Sequence, residues 1–173
     1  VYAYGFELLL STIFSLLTVF VMSVFFGRIT ETLVFILTFI VMRIFAGGYH
    51  ASNHLRCFLA LISIYSLFLI ILAFCGGRAI LWLSGGFAVI SLATVFLLSP
   101  VADKNKPLTE KETKTFRLRS RVVTVFCVMV IACGIAFLKG NFLVLSVSCG
   151  LFAVAASLTA AKIRNFFSGR DAR

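Results

Sequence analysis

An imidazole and a thiol, His50 and Cys57, stand seven positions apart in the stretch Arg43-Ile-Phe-Ala-Gly-Gly-Tyr-His-Ala-Ser-Asn-His-Leu-Arg-Cys57, between two long apolar runs. A neutral imidazole can take the proton of a thiol, and the resulting thiolate is a nucleophile for a carbonyl carbon. In one continuous helix, residues seven apart share a face but are separated by about 10.5 Å along the axis, too far for that proton transfer. Gly47 and Gly48 permit a break before His50, and Ser52 or Asn53 can cap a new helix, so that His50 folds back over the helix start that carries Cys57. His54 competes for the same role, because a residue three before Cys57 is its neighbour on a helix. Two other readings stand beside this one. A cysteine at the head of an apolar helix is ordinarily a small packed side chain, and a loop histidine is ordinarily solvated. His50, His54 and Cys57 also fall at i, i+4 and i+7, a three-ligand face suited to zinc, although Ala51 occupies the place of the Glu in a metalloprotease His-Glu-x-x-His helix.

Whatever positions this pair lies in a membrane. Of 173 residues 61% are hydrophobic and only 13% charged, with a mean hydropathy of +1.11, which leaves too little polar surface to cover a soluble globule. Six apolar runs approach the roughly 20 helical residues that a hydrocarbon core requires: Phe6 to Phe26, Ile29 to Phe45, Leu55 to Cys75, Ala79 to Leu98, Val122 to Leu138 and Phe142 to Ala161. Gly27, Gly76-Gly77 and Lys139-Gly140 make three connections so short that the runs they join must be antiparallel. The expected fold is all-α, a polytopic integral membrane bundle of about six transmembrane helices. It forms a single domain over 1–173, with a His/Cys loop at about 46–57 and a basic loop at about 99–121. Cys75, Cys127, Cys133 and Cys149 lie in or beside apolar runs and read as small buried hydrophobes rather than a disulfide framework. Ala153, Ser157 and Ala161 form a small-xxx-small row in the last run, suited to internal packing or to the seam of a homodimer. Val1 to Gly5 offers no basic region of a cleavable signal peptide, and the missing initiator Met leads us to expect residues before Val1 in the natural chain.

The distribution of Lys and Arg orients the bundle. With six spans, thirteen of the sixteen basic residues fall on the side of the second and fourth loops, and the positive-inside rule makes that side cytoplasmic. His50 and Cys57 are then expected to face the cytosol, where thiols stay reduced. In the fourth loop Pro100 and Pro107 oppose helix, whereas Thr109-Glu-Lys-Glu112 has the form of a capping box, so the fifth helix should begin before the membrane. Lys114, Arg117 and Arg121 would share one face of it. Such a face serves membrane lipid headgroups and topology in one reading, and docking of an acidic peptide segment in the other; no nucleic-acid partner is expected.

Three motifs in this order resemble the accessory gene regulator B family of Gram-positive quorum-sensing peptide processors. They are Tyr4-Gly5-Phe6-Glu7 before the first span, the Arg43 to Cys57 run with Gly47-Gly48, His50 and Cys57, and Pro100 through Asn105-Lys106-Pro107 followed by charge. The resemblance covers nearly the whole chain. It implies a multi-pass membrane cysteine endopeptidase with His50 and Cys57 as its catalytic residues and no cofactor. Its partner would be a precursor signalling peptide with an acidic C-terminal segment, cut through a Cys57 thioester and cyclised to a thiolactone or lactone. Family members usually carry a further N-terminal segment. Gly47, Gly48 and Asn53 are candidates for supporting the site, with Lys114, Arg117 and Arg121 for peptide docking. The rival reading is a non-enzymatic membrane peptide exporter or binding module, which fits the spans and the basic face but gives the His50 and Cys57 pair no task.

Overall fold

The computed structural model describes residues 2–46, 54–100, 110–138 and 141–167, with side chains over 12–46, 58–100, 113–137 and 141–163. Among these residues there are six helices and no strand: α1 (Tyr2–Phe25), α2 (Ile29–Ala46), α3 (His54–Phe74), α4 (Arg78–Leu98), α5 (Glu110–Leu138) and α6 (Phe142–Phe167). In α2, α4, α5 and α6 the stretches Ile29–Ala46, Arg78–Leu98, Thr113–Phe137 and Phe142–Ile163 are long and apolar enough to cross a membrane. The helices α1 and α3, with 24 and 21 residues, measure about 36 and 32 Å at 1.5 Å per residue, which also suffices for a core of about 30 Å. The apolar runs locate most helix ends within a few residues. The exceptions are the start of α5, at Glu110 as the Thr109 to Glu112 capping pattern anticipates, and the end of α6, which passes Ala161 and runs to Phe167. Backbone hydrogen bonding does not stop where hydropathy falls, so helices outlast the apolar runs that nucleate them.

Gly27 shows how the short connections are made. Its φ of 65° lies in the left-handed region, its amide donates to Val24 O at 3.1 Å, and the Arg28 amide donates to Ser23 O at 2.9 Å. This double bond pattern closes the end of α1 as a Schellman motif, for which glycine carries no Cβ penalty. Directly after it, Arg28 pairs with Glu31 at 3.0 Å and lies 4.7 Å from the centre of the Phe142 ring, tying the start of α2 to the start of α6.

The bundle is built around α6. Of its Phe142–Ile163 stretch 67% is buried, against 22 to 28% in the spans of α2, α4 and α5. Its most extensive partners are α4 and α2. Small residues make this possible: a Cβ at Gly150 would come within 2.9 Å of the Phe35 carbonyl oxygen, so the two backbones approach as closely as glycine allows. Phe87 and Phe152 stack at 4.4 Å between α4 and α6. Ala153, Ser157 and Ala161 are all buried within the single chain, so their row is internal packing. Between α2 and α3, Phe35 stacks on Phe68 at 4.4 Å and the Thr32 and Tyr65 hydroxyls share a hydrogen bond of 2.8 Å. In a membrane such a bond averages about 0.6 kcal/mol. The stacked ring pair is worth about as much or more, at roughly 0.5–1.5 kcal/mol.

The outward face is as apolar as the core. Phe74, Trp82, Leu97 and Phe137 are each more than four-fifths exposed, an arrangement that lipid accommodates and water does not. This corrects the expectation for the cysteines. Among the four described cysteines only Cys149 is buried; Cys75 and Cys127 are half-buried and Cys133 lies on the outer surface, because an apolar side chain in lipid need not turn inward. All four are free thiols.

Candidate active site

Two helix ends frame the His/Cys motif. The last residue of α2 is Ala46 and the first of α3 is His54, which puts Cys57 on helical backbone in the first turn of α3. Gly47, Gly48, His50 and Asn53 lie outside the described residues, as do the side chains of His54 and Cys57. The spacing argument for His50 or His54 as the base, and the three-ligand alternative, therefore rest on the sequence. What the structure adds is the frame. Next to Cys57, the Phe58 ring packs at 5.4 Å against Phe14 of α1, which fixes the beginning of α3 from the outside.

The other side of the frame is polar and fully inside. Ala46, at 0% exposure, presents its carbonyl oxygen 3.5 Å from Ser99 Oγ, at the end of α4. Ser99 Oγ is 2.8 Å from Ser120 Oγ on α5, and Ser120 Oγ donates to the Arg117 carbonyl at 3.0 Å. One turn further along α5, the Thr124 hydroxyl donates to Ser120 O at 2.7 Å and contacts Met42 Sδ of α2 at 3.7 Å. Thus α2, α4 and α5 meet through hydroxyls at the Ala46 end of α2. These serines and Thr124 are site-framing residues that the sequence reading passed over. Their signal was present, since a hydroxyl in an otherwise apolar helix marks a place where helices exchange hydrogen bonds, but only its neighbours in space say which helix answers.

Lys114, Arg117 and Arg121 all fall on α5, at positions i, i+3 and i+7, and so share one face as their spacing predicts. Their surroundings differ. Lys114 and Arg117 are exposed, whereas Arg121 is half-buried against α4, where its Nη2 donates to Phe96 O at 3.0 Å and its guanidinium lies 5.0 Å from the Phe96 ring centre. A cation at the last turn of a helix satisfies a carbonyl left without an amide and complements the negative end of the dipole. Arg121 thus binds the end of α4. The exposed pair projects past it, since Lys114 lies about 9 Å beyond Ser120 along the helix axis.

Comparison with known proteins agrees with the motif order. The profile of the family described as Accessory gene regulator B matches residues 1–169. A Clostridium perfringens protein (strain SM101 / Type A), named only as AgrB-like, is 31% identical over 130 residues, covering 71% of this chain and 61% of its own length. A second from C. perfringens (strain 13 / Type A), named only as AgrB-like protein 2, is 30% identical with the same coverage. The match therefore spans less than two thirds of these relatives. No solved structure matches the chain.

Proposed function

We propose, since this chain belongs to the accessory gene regulator B family, that it is a membrane cysteine endopeptidase of a quorum-sensing system and that its substrate is a short precursor peptide. The observation that carries the reading is the position of Cys57 in the first turn of α3, seven residues after His50 in the sequence. Unpaired amides at a helix start favour a negative charge there, which suits a thiolate.

His50 takes the Cys57 proton, and the thiolate sulfur bonds to a precursor carbonyl carbon. The tetrahedral oxyanion is held by amides of Gly47 and Gly48 or by the Asn53 side chain. Its collapse breaks the peptide C–N bond, His50 returns the proton to the departing amine, and the N-terminal part of the precursor remains on Cys57 as a thioester. A thiol or hydroxyl within that bound peptide then attacks the thioester, yielding a thiolactone or lactone ring and free Cys57. Exchange of one thioester for another needs no external energy source, but water must be kept away from the acyl-enzyme. The excess of Lys and Arg on the side of the second and fourth loops supports a cytoplasmic location for this chemistry. The test is mass spectrometry of the protein reconstituted with its precursor. An adduct on Cys57 with the mass of the precursor's N-terminal part is expected, while a bound but uncleaved precursor would instead establish a carrier or binding module.

The exposed Lys114 and Arg117 are suited to the acidic end of the precursor. Reversing both to Glu is expected to raise KM about fivefold at low salt and much less at high salt, because exposed charges are screened over about 10 Å at 0.1 M. Unchanged KM at every ionic strength would return the segment to headgroup binding. Arg121 should be varied separately, since Arg121→Glu also removes the donor at the end of α4.

A further inference from the structure

We propose that the first two turns of α4, residues 78–84, form a flap hinged at Gly85-Gly86 that opens the end of the bundle remote from the His/Cys motif; the proposal stands independently of the peptidase reading. Glycine weakens the interior of a helix, and glycine beside serine is a place where helices bend. Gly134 and Gly150, inside α5 and α6, have a packing reason: a Cβ would meet Val144 at the first and the Phe35 carbonyl oxygen at the second. Gly85 and Gly86 have no such reason. Beyond the adjoining backbone of α4, a Cβ at either would meet nothing within 4 Å, so alanine would fit at both positions. A second pair, Gly76-Gly77, lies at the other end of the same two turns, again with open space around it. There Gly77, at a φ of 55°, precedes the start of α4 without a side-chain cap.

The two parts of α4 are held differently. Past the hinge, Phe87 stacks on Phe152 of α6 at 4.4 Å, Arg121 of α5 donates to the Phe96 carbonyl, and Ser99 meets Ser120 of α5. Before it, no side chain of residues 78–84 makes a hydrogen bond, ion pair or ring contact to another helix among the described residues; Ile80 and Leu83 hold the segment by apolar packing. Lipid is as apolar as the core, so parting two apolar faces there meets no hydrophobic penalty. Ser84 adds a reason to part. Its side chain is 0% exposed and its hydroxyl has no hydrogen-bond partner, whereas Ser91, one heptad along the same face, donates to Phe87 O at 2.6 Å. A buried hydroxyl without a partner raises the free energy of the closed form. Ser84 lies about 9 Å along the axis from Arg78, so water entering at that end of the bundle reaches it once the flap bends, and supplies the missing bond.

The test reads the arrival of water at Ser84. Ser84→Cys is made the only thiol, in protein carrying Ala at Cys57, Cys75, Cys127, Cys133 and Cys149, and its reaction with a charged methanethiosulfonate is timed in lipid nanodiscs, which present both membrane faces. Ala79→Cys, exposed on the same segment, and Ser91→Cys, equally buried but beyond the hinge, serve as references. Ser84→Cys is expected to react about a hundredfold more slowly than Ala79→Cys, as befits a group reached through a minor open state, and Ser91→Cys more slowly still. Combining Gly85→Ala with Gly86→Ala, which stiffens the helix without a clash, should slow the Ser84→Cys reaction about tenfold and leave that of Ala79→Cys unchanged. Should Ser84→Cys fail to fold, Leu83→Cys, also packed against the core, gives the same decision. A thiol at Ser84 that stays unlabelled long after Ala79→Cys has reacted to completion would show that no flap opens. An unchanged rate in the glycine double variant, or a Ser91→Cys rate equal to that of Ser84→Cys, would show that the opening is not hinged at Gly85-Gly86 and would overturn the proposal.

Discussion

Cys57→Ala is expected to abolish precursor cleavage, with loss of at least about four orders of magnitude in rate, as removal of a covalent nucleophile does in other peptidases. The protein should still insert and retain its helical content, because Cys57 lies in the first turn of α3, where alanine is a good helix former. The control is built into the chain. Cys75, Cys127 and Cys133 are half-buried or exposed, and Cys149 is a small core residue, so each should tolerate Ala with cleavage retained. Of these, Cys149→Ala should lower the melting temperature most, since it removes a sulfur packed in the principal core cluster. Cleavage by Cys57→Ala in membranes would exclude this thiol as the nucleophile, whatever the family.

The second large effect separates the two histidines. His50→Gln should lose acyl-enzyme formation, because an amide of similar size cannot accept the thiol proton near neutral pH, while His54→Gln should keep most activity. The physical contrast is one of placement. His54 opens α3 on the same helix as Cys57, and helix geometry alone favours it; His50 lies in the sequence between α2 and α3, after the Gly47-Gly48 pair. A metal held by His50, His54 and Cys57 would make both substitutions costly and the parent sensitive to a chelator. The deciding measurement is the rate of precursor cleavage in proteoliposomes for both variants, with and without chelator. Activity in His50→Gln together with loss in His54→Gln would show that the base is supplied from within α3.

The helices were legible in the sequence because a bilayer leaves the backbone so few choices: each crossing segment must satisfy its own amides and carbonyls, and the apolar runs therefore announce themselves. The start of α5 at Glu110 was legible for a different reason, the capping pattern of Thr109 to Glu112. What could not be read was which face of each helix turns inward. In water, hydrophobicity points to the core; in lipid, Phe74 and Leu97 outside are as apolar as Phe35 and Leu145 inside. For that reason the Ala153, Ser157 and Ala161 row remained ambiguous until its burial was known, Cys133 was assigned to an interior it does not occupy, and the Ser99 to Ser120 contact across 21 positions left no trace in periodicity. Arg121 shows the same limit among charges. Its spacing groups it with Lys114 and Arg117, but the carbonyl of Phe96 gives it a different task. At the site, residue type and spacing narrow the pair to Cys57 with either His50 or His54, and the family resemblance selects His50.

The central place of α6 has a consequence for biogenesis. It is the last of the described helices to leave the ribosome, yet it is the one on which α2 and α4 mainly pack. Helices in a membrane insert singly and associate afterwards, so a nascent chain that has delivered α1 to α5 still has the slot beside Phe35 and Phe87 waiting for Gly150 and Phe152. A chain synthesised only as far as α5 thus lacks the helix on which α2 and α4 pack, and their association waits for α6. Loss of α6 would leave α2 and α4 without their chief neighbour, whereas α1 packs mainly on α3 and α2. Arrival of α6, rather than insertion of the first hairpin, is the event that brings α2 and α4 to their chief neighbour.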